Sequence, residues 1–203
     1  MEVSSPAAES APRRRGRPYG VDPERIALLA LHRFAVHGYD ATTMDDIATL
    51  AGVGRRTLFR YFPSKPELVW GGLEPVVERM RAVLDAPPEG EPVRDTLARA
   101  FAHSLDFEPG AREAARLRLR LMASDPELIA FGVARLGANR DLLAGFLARR
   151  LGIPSDGLRA RVLADALSSA PFSALLWWAD NDDGAPSRAA VEAVDAVLRG
   201  VEG

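Results

Sequence analysis

The chain is predicted to be all-α, with a three-helix N-terminal helix-turn-helix domain followed by a larger helical-bundle domain. Three observations predict this. Cap residues recur ahead of apolar stripes of helical period, Gly52 separates two short helices, and no two segments alternate with the two-residue period of paired strands. The expected organisation is a disordered basic arm over 1–20, a head over 21–65 and a body over 66–203.

Asp22-Pro23-Glu24 starts the first helix, an N-cap followed by proline at the first helical position. Ile26, Leu29, Ala30 and Phe34 form its apolar stripe, and Gly38 closes it. Thr43 opens the second helix as a hydroxyl N-cap, with Asp46 three residues on in a variant of the capping box. Met44, Ile47, Ala48 and Ala51 recur at i, i+3, i+4 and i+7, so one face is apolar. Gly52 suits the left-handed position after a helix end, and small Ala48 lets a second helix approach closely. Past the turn, Val53, Leu58 and Phe62 supply the buried side, while Arg55, Arg56, Phe59 and Arg60 project to the other. Each guanidinium offers a planar fork that matches guanine O6/N7 or a phosphate. A surface hairpin with solvated arginines is the plainer alternative.

The landmarks Thr42-Thr43, Ile47-Ala48, Ala51-Gly52-Val53, Phe59-Arg60-Tyr61-Phe62 and Ser64-Lys65 resemble the N-terminal domain of the TetR family of bacterial transcriptional repressors. The likeness runs from about Val21 to Leu68. It implies that Thr43, Tyr61 and Lys65 contact phosphates and that Arg55, Arg56 and Thr57 lie nearest the base edges of a major groove. The family's Tyr-x-Tyr-Phe begins with Phe59 here, so an apolar contact replaces a phosphate-bonding hydroxyl, and Arg56 and Arg60 take over phosphate affinity. In the arm, Arg13, Arg14, Arg15 and Arg17 form one basic run directly ahead of the head. Such an arm points to minor-groove or phosphate contact, with a solubilising tail as the alternative. It is too polar for a signal peptide.

Charge follows the same division. The net charge of −2 conceals ten basic against seven acidic residues over 1–65, a balance of +3, and −5 for the remainder. No run approaches transmembrane length, and a membrane partner is not expected. The absence of cysteine excludes disulfides and thiolate metal sites and fits a reducing cytoplasm. His32, His37 and His103 lack metal-ligand spacing, so no metal or other cofactor is expected.

From Ser64 onward helix follows helix. Ser64 and Glu67 read as a second capping box, opening a helix to about Asp85 with a kink at Pro75. Pro92 starts another to about Phe107, and Pro109-Gly110 breaks it. Arg116-Leu-Arg118-Leu-Arg120-Leu alternates like a strand. It continues from Ala111-Arg-Glu-Ala-Ala and places Leu117 and Leu121 four apart, so it is assigned to a helix. Asp125-Pro126-Glu127 caps a long helix to about Leu151, ended by Gly152, and Asp156 opens one containing Pro171, where a kink or break near Ser168-Ser169 is expected. The last helix, after Pro186, carries Ala190, Val191, Val194, Val197, Leu198 and Val201.

Apolar faces on the final two helices suit a two-fold pairing over residues 158–200, with Leu158, Val162, Val191, Val194 and Leu198 as interface; an intramolecular core is the alternative. Phe101, Met122, Phe172, Trp177 and Trp178, with His103 as the body's one histidine, are candidate ligand contacts around the broken helix, although plain core accounts for each singly. The body resembles the TetR branch of the mycofactocin-system regulator and its relatives with acyl-CoA-like ligands. The likeness lies in Arg116-Leu-Arg-Leu, Asp125-Pro-Glu-Leu, Leu147-Ala-Arg-Arg-Leu-Gly-Ile and Leu158-Arg-Ala-Arg-Val-Leu, and Pro171 departs from it. It implies an acyl-CoA whose phosphates meet Arg116, Arg118 or Arg120; a solvated arginine face is the alternative.

The reading is a homodimeric, non-enzymatic regulator: a repressor released from a palindromic operator in double-stranded DNA by a small apolar effector, an acyl-CoA among the candidates. The alternative is an acyl-CoA-binding carrier or enzyme retaining the helix-turn-helix as scaffold. It lacks a nucleophile, base and orienting group in recognisable spacing and any glycine-rich phosphate loop.

Overall fold

A computed structural model describes residues 22–202, which form eleven helices and, among the described residues, no strand. The arm with Arg13, Arg14, Arg15 and Arg17 lies outside the described residues.

The head folds as its local signals dictate. Helix α1 (Pro23–His37) starts on Asp22, whose carboxylate accepts from the Glu24 and Arg25 amides, and ends at Gly38. Helix α2 (Met44–Ala51) carries the complete Thr43–Asp46 capping box and stops at Gly52, which adopts the left-handed conformation at φ 66°. Helix α3 (Arg55–Tyr61) follows after the three residues Gly52–Gly54 and buries Leu58.

The link to the body differs from the single kinked helix that the sequence suggests. Helix α4 (Lys65–Trp70) ends at Gly71, and α5 (Leu73–Asp85) begins after Gly72 at φ 86°. Pro75 falls in the first turn of α5, where an absent amide donor leaves no hydrogen bond unmade, so the chain bends at the glycine pair instead. Ser64 makes no side-chain cap bond, and the Glu67 carboxylate that would complete a capping box is paired with Arg135 instead.

The body continues with α6 (Val93–Ser104), α7 (Pro109–Ser124), α8 (Pro126–Arg135), α9 (Gly137–Leu151), α10 (Leu158–Asn181) and α11 (Pro186–Glu202). The alternating Arg-Leu segment is helical, inside α7. The expected long helix after Asp125 is divided at Leu136 into α8 and α9. Conversely, α10 runs through Pro171 without the expected interruption. That helix has the length and composition of a membrane span, with a window of mean hydropathy 1.2, which the sequence reading did not anticipate. It serves as the central core helix, packed against α7, α9 and α11.

Two apolar clusters result. One joins Ile26, Phe34, Ile47 and Leu58 of the head to Trp70 and then to Leu119, Met122, Leu128 and Trp178 of the body. The other, built by α5, α6, α9, α10 and α11, centres on Leu97, Leu143, Phe146, Leu167 and Val194. The head core is therefore continuous with half of the body core.

Candidate nucleic-acid interface and effector cavities

On the head, Arg55, Arg56 and Arg60 are exposed on α3, Thr57 and Phe59 are half-buried, and Tyr61 is exposed. Arg55 is not free: its guanidinium pairs with Asp45 at 2.8 Å and lies 5.4 Å from the Phe59 ring centroid. Arg60 stacks over Tyr61 at 4.9 Å, bringing their polar ends together on one edge of the helix. Thr43 is exposed, but its hydroxyl donates to Asp46 at 2.7 Å while accepting from the Asp46 amide. These bonds hold the Asp46 carboxyl below its ordinary value, the bond from the Thr43 amide being the chief cause.

Lys65 departs from a phosphate-facing position. Its ammonium donates to the carbonyls of Tyr39 at 2.9 Å and Thr42 at 3.3 Å, and lies 4.1 Å from the centroid of the Tyr39 ring. Lys65 thus ties α4 to the loop between α1 and α2. Burial, with Asp125 nearby, pushes the Tyr39 hydroxyl up to about 12.

Arg116, Arg118 and Arg120 of α7 part company. Arg116 is buried, stacks on Trp178 at 4.2 Å and donates to the carbonyls of Ala179 at 3.0 Å and Asp182 at 2.9 Å. Arg120 donates to Ala179 and Asp180, both at 3.0 Å. Both therefore staple α7 to the C-terminal end of α10, where unsatisfied carbonyls favour cations, and neither is presented to a ligand. Arg118 points the other way, over Gly72.

Two spaces remain. A cleft of about 680 Å³ lies between α1, the Gly71–Gly72 bend, α5 and α7, and Arg118 lines it. A cavity of about 70 Å³ inside the body is walled by Phe101, Leu105, Pro171, Phe172 and Leu175, with Ser104, Asn139 and Ser168 as its polar groups. Asn139 Nδ2 donates to Ser168 at 3.4 Å, and its Oδ1 is buried without a partner among the described residues. Of the expected ligand contacts, Phe101 and Phe172 line this cavity. Met122 and Trp178 are core residues, whereas His103 and Trp177 face outward, Trp177 at 57% exposure.

The expected interface residues also divide. Leu158 and Val162 are 80% and 55% exposed on α10, whereas Val194 is fully covered within the chain, and Val191 and Leu198 pack partly on the same core. The Arg94–Asp195 pair at 2.7 Å fastens that face of α11 to α6.

Sequence reading passed over Trp70 and Gly132. The Trp70 indole, fully buried, donates to the Leu128 carbonyl at 2.8 Å and lies 5.8 Å from the Phe172 ring. It occupies the space left by Gly132 of α8, where a Cβ would fall inside the indole ring. The available signal was a glycine in the middle of a helix, unfavourable by about 1 kcal/mol against alanine and therefore in need of a packing reason.

Comparison with known proteins agrees with this geometry. Residues 28–69 match the family of bacterial regulatory proteins of tetR type, and residues 91–202 match the MftR C-terminal domain. A Mycobacterium tuberculosis protein provisionally named mycofactocin biosynthesis transcriptional regulator MftR is 30% identical over 187 residues, 92% of this chain and 94% of that protein. The crystal structure of Thermus thermophilus FadR, a TetR family repressor in complex with lauroyl-CoA, is similar with TM-score 0.52 and 27% identity over 88% of this chain and 92% of that one. Bacillus subtilis FadR, in complex with stearoyl-CoA, shares the fold with TM-score 0.60 at 22% identity over 87% of this chain and 97% of that one. A glycine-turned helix pair with its arginines outward, on a bundle that matches the MftR domain, makes this chain a transcriptional regulator of the TetR family.

Proposed function

We propose that the chain is a homodimeric repressor that leaves a palindromic operator when a small apolar effector enters the body. The head, residues 21–65, reads DNA through Arg55, Arg56, Thr57 and Phe59, with Thr43, Arg60 and Tyr61 on the phosphates and Lys65 holding the α1–α2 loop in place. Arg13, Arg14, Arg15 and Arg17 add backbone or minor-groove contact. The body, residues 66–203, binds the effector and pairs the subunits through the exposed face of α10 around Leu158 and Val162. Two heads on one side of a two-fold dimer meet successive major grooves about 34 to 36 Å apart.

The observation that carries this reading is the physical connection from the body cavity to the head. Phe172 forms a wall of the cavity and touches Trp70, the last residue of α4; Lys65, the first, holds the loop that leads into α2. A cavity of about 70 Å³ is smaller than the 300 Å³ or more that a drug-sized ligand occupies, so an effector must push its walls apart. Displacing Phe172 moves Trp70 and with it the angle of α4. A hundredfold loss of operator affinity needs a coupling of about 2.7 kcal/mol, within the usual allosteric range. The lauroyl-CoA bound by the Thermus FadR supports an acyl-CoA as the first effector to try.

The test is fluorescence-anisotropy binding to DNA upstream of the chain's own gene, with non-specific competitor and lauroyl-CoA titrated in. Saturable binding that lauroyl-CoA abolishes is expected. Binding indifferent to it removes the acyl-CoA and keeps the repressor; failure to bind any palindrome removes the repressor.

A further inference from the structure

We propose that the cleft between α1, α5 and α7 is a second site, one that takes an organic monoanion with a short apolar tail and grips its carboxylate with Arg118. This site is separate from the apolar cavity walled by Phe101 and Phe172 and does not depend on it.

Arg118 is the observation that demands an occupant. Its Nε is buried without a hydrogen-bond partner among the described residues, whereas its neighbours Arg116 and Arg120 donate to carbonyls of α10. A buried guanidinium nitrogen with an unmade bond is unfavourable unless something completes it, and the rest of the half-buried group faces the cleft. Burial holds its pKa below the ordinary value, and the field of Glu24 opposes that shift without forming a contact pair among the described residues. The head group also has room. A Cβ at Gly72 would meet Arg118 Nη2 at 3.3 Å, so the glycine of the bend leaves the space that the guanidinium fills.

The rest of the cleft defines the ligand. Leu28, Val76, Phe107, Ala111 and Ala114 give it apolar walls, and its volume of about 680 Å³ lies within the range for small-molecule sites. Its other cations are already engaged or peripheral: Arg79 donates to the Ser104 carbonyl at 2.7 Å, and Arg25 is exposed on α1. Asp22 and Glu24 stand at the head side of the cleft. One half-buried guanidinium in a cleft that also carries the carboxylates of Asp22 and Glu24 suits a single negative charge better than several, which favours a carboxylate over the polyphosphate of a coenzyme A. Because α1 belongs to the head and α5 and α7 to the body, a bound anion touches both and fixes the bend at Gly71–Gly72.

The full-length protein should bind octanoate saturably with one site per chain by calorimetry, and octanol at least tenfold more weakly. Arg118→Met should reduce octanoate binding at least tenfold while its ligand-free melting temperature stays level or rises, since a half-buried charge without an ion-pair partner among the described residues has been removed. Leu28→Glu, at a partly exposed position, should weaken octanoate binding by adding a third acid to the cleft. Equal binding of octanoate and octanol, undiminished octanoate binding by either variant, or a lowered melting temperature for Arg118→Met with octanoate binding intact overturns the proposal. Operator affinity of ligand-free Arg118→Met, measured alongside, reports on the repressor reading alone.

Discussion

Arg55 and Arg56 are sequence neighbours, yet among the described residues only Arg55 begins from an ion pair, with Asp45 at 2.8 Å. Reading a base with Arg55 requires that exposed pair to open, at a cost of less than about 1 kcal/mol. Arg56→Ala should therefore lower operator affinity by about 1 to 3 kcal/mol in anisotropy titrations. Asp45→Asn should raise it, since the change frees Arg55 and removes a carboxylate from the surface proposed to meet DNA; a fall in affinity would show that Asp45 orients Arg55 instead. A second residue-scale consequence concerns pH. The Asp46 carboxyl is held below its ordinary 3.8 by the Thr43 bonds, so its contribution to stability is present above that value and fades as pH falls through the lowered one. Melting curves of wild type and Asp46→Asn should separate at neutral pH and converge in strong acid. This capping box was readable in advance because its partners lie three residues apart. The equivalent pattern at Ser64 and Glu67 misleads, since Glu67 answers to Arg135, far along the chain. The arginines of α7 divide for the same reason: whether each meets the end of α10 or a cleft depends on a helix about sixty residues away.

Among elements, α4 carries the connection between cavity and head, and its two ends are held by different means. Lys65 fixes one end through two carbonyls, and Trp70 fixes the other through Leu128 and the space beside Gly132. Gly132→Val should be strongly destabilising, by about 3 kcal/mol or more, because neither the α8 backbone nor a buried indole can withdraw; a drop in denaturation midpoint without a change in slope checks it. Trp70→Phe retains the apolar bulk but loses the bond to Leu128. It should leave ligand-free operator binding nearly unchanged while blunting the response to effector. Helix boundaries were legible wherever a cap, a proline in a first turn or a terminal glycine acts locally, as at Asp22, Thr43 and Gly52. They were misplaced where two local rules compete. Pro75 suggested a kink, but the glycine pair before it takes the bend and leaves the proline in a first turn. At Pro171 the surrounding core keeps α10 continuous despite the missing donor.

For the whole molecule, the charge difference between head and body was evident from composition, and the continuity of their apolar cores was not. Because the first cluster runs from Ile26 through Trp70 to Trp178, head and body should melt together in calorimetry. Pairing belongs to this scale as well. Val162→Glu, on an exposed face of α10, should dissociate the proposed dimer in sedimentation experiments and reduce operator affinity, while leaving the helical signal unchanged. An unaltered sedimentation coefficient at micromolar protein would move the interface elsewhere. The three tryptophans are, finally, a built-in set of optical probes. Trp178 is buried beneath the Arg116 guanidinium, Trp177 is in solvent, and Trp70 lies against Phe172 in the wall of the body cavity. With Trp177 replaced by phenylalanine, the remaining emission comes from one fixed indole and one on the lever. The conformational state of this regulator can then be followed by its own fluorescence, without a dye and without DNA.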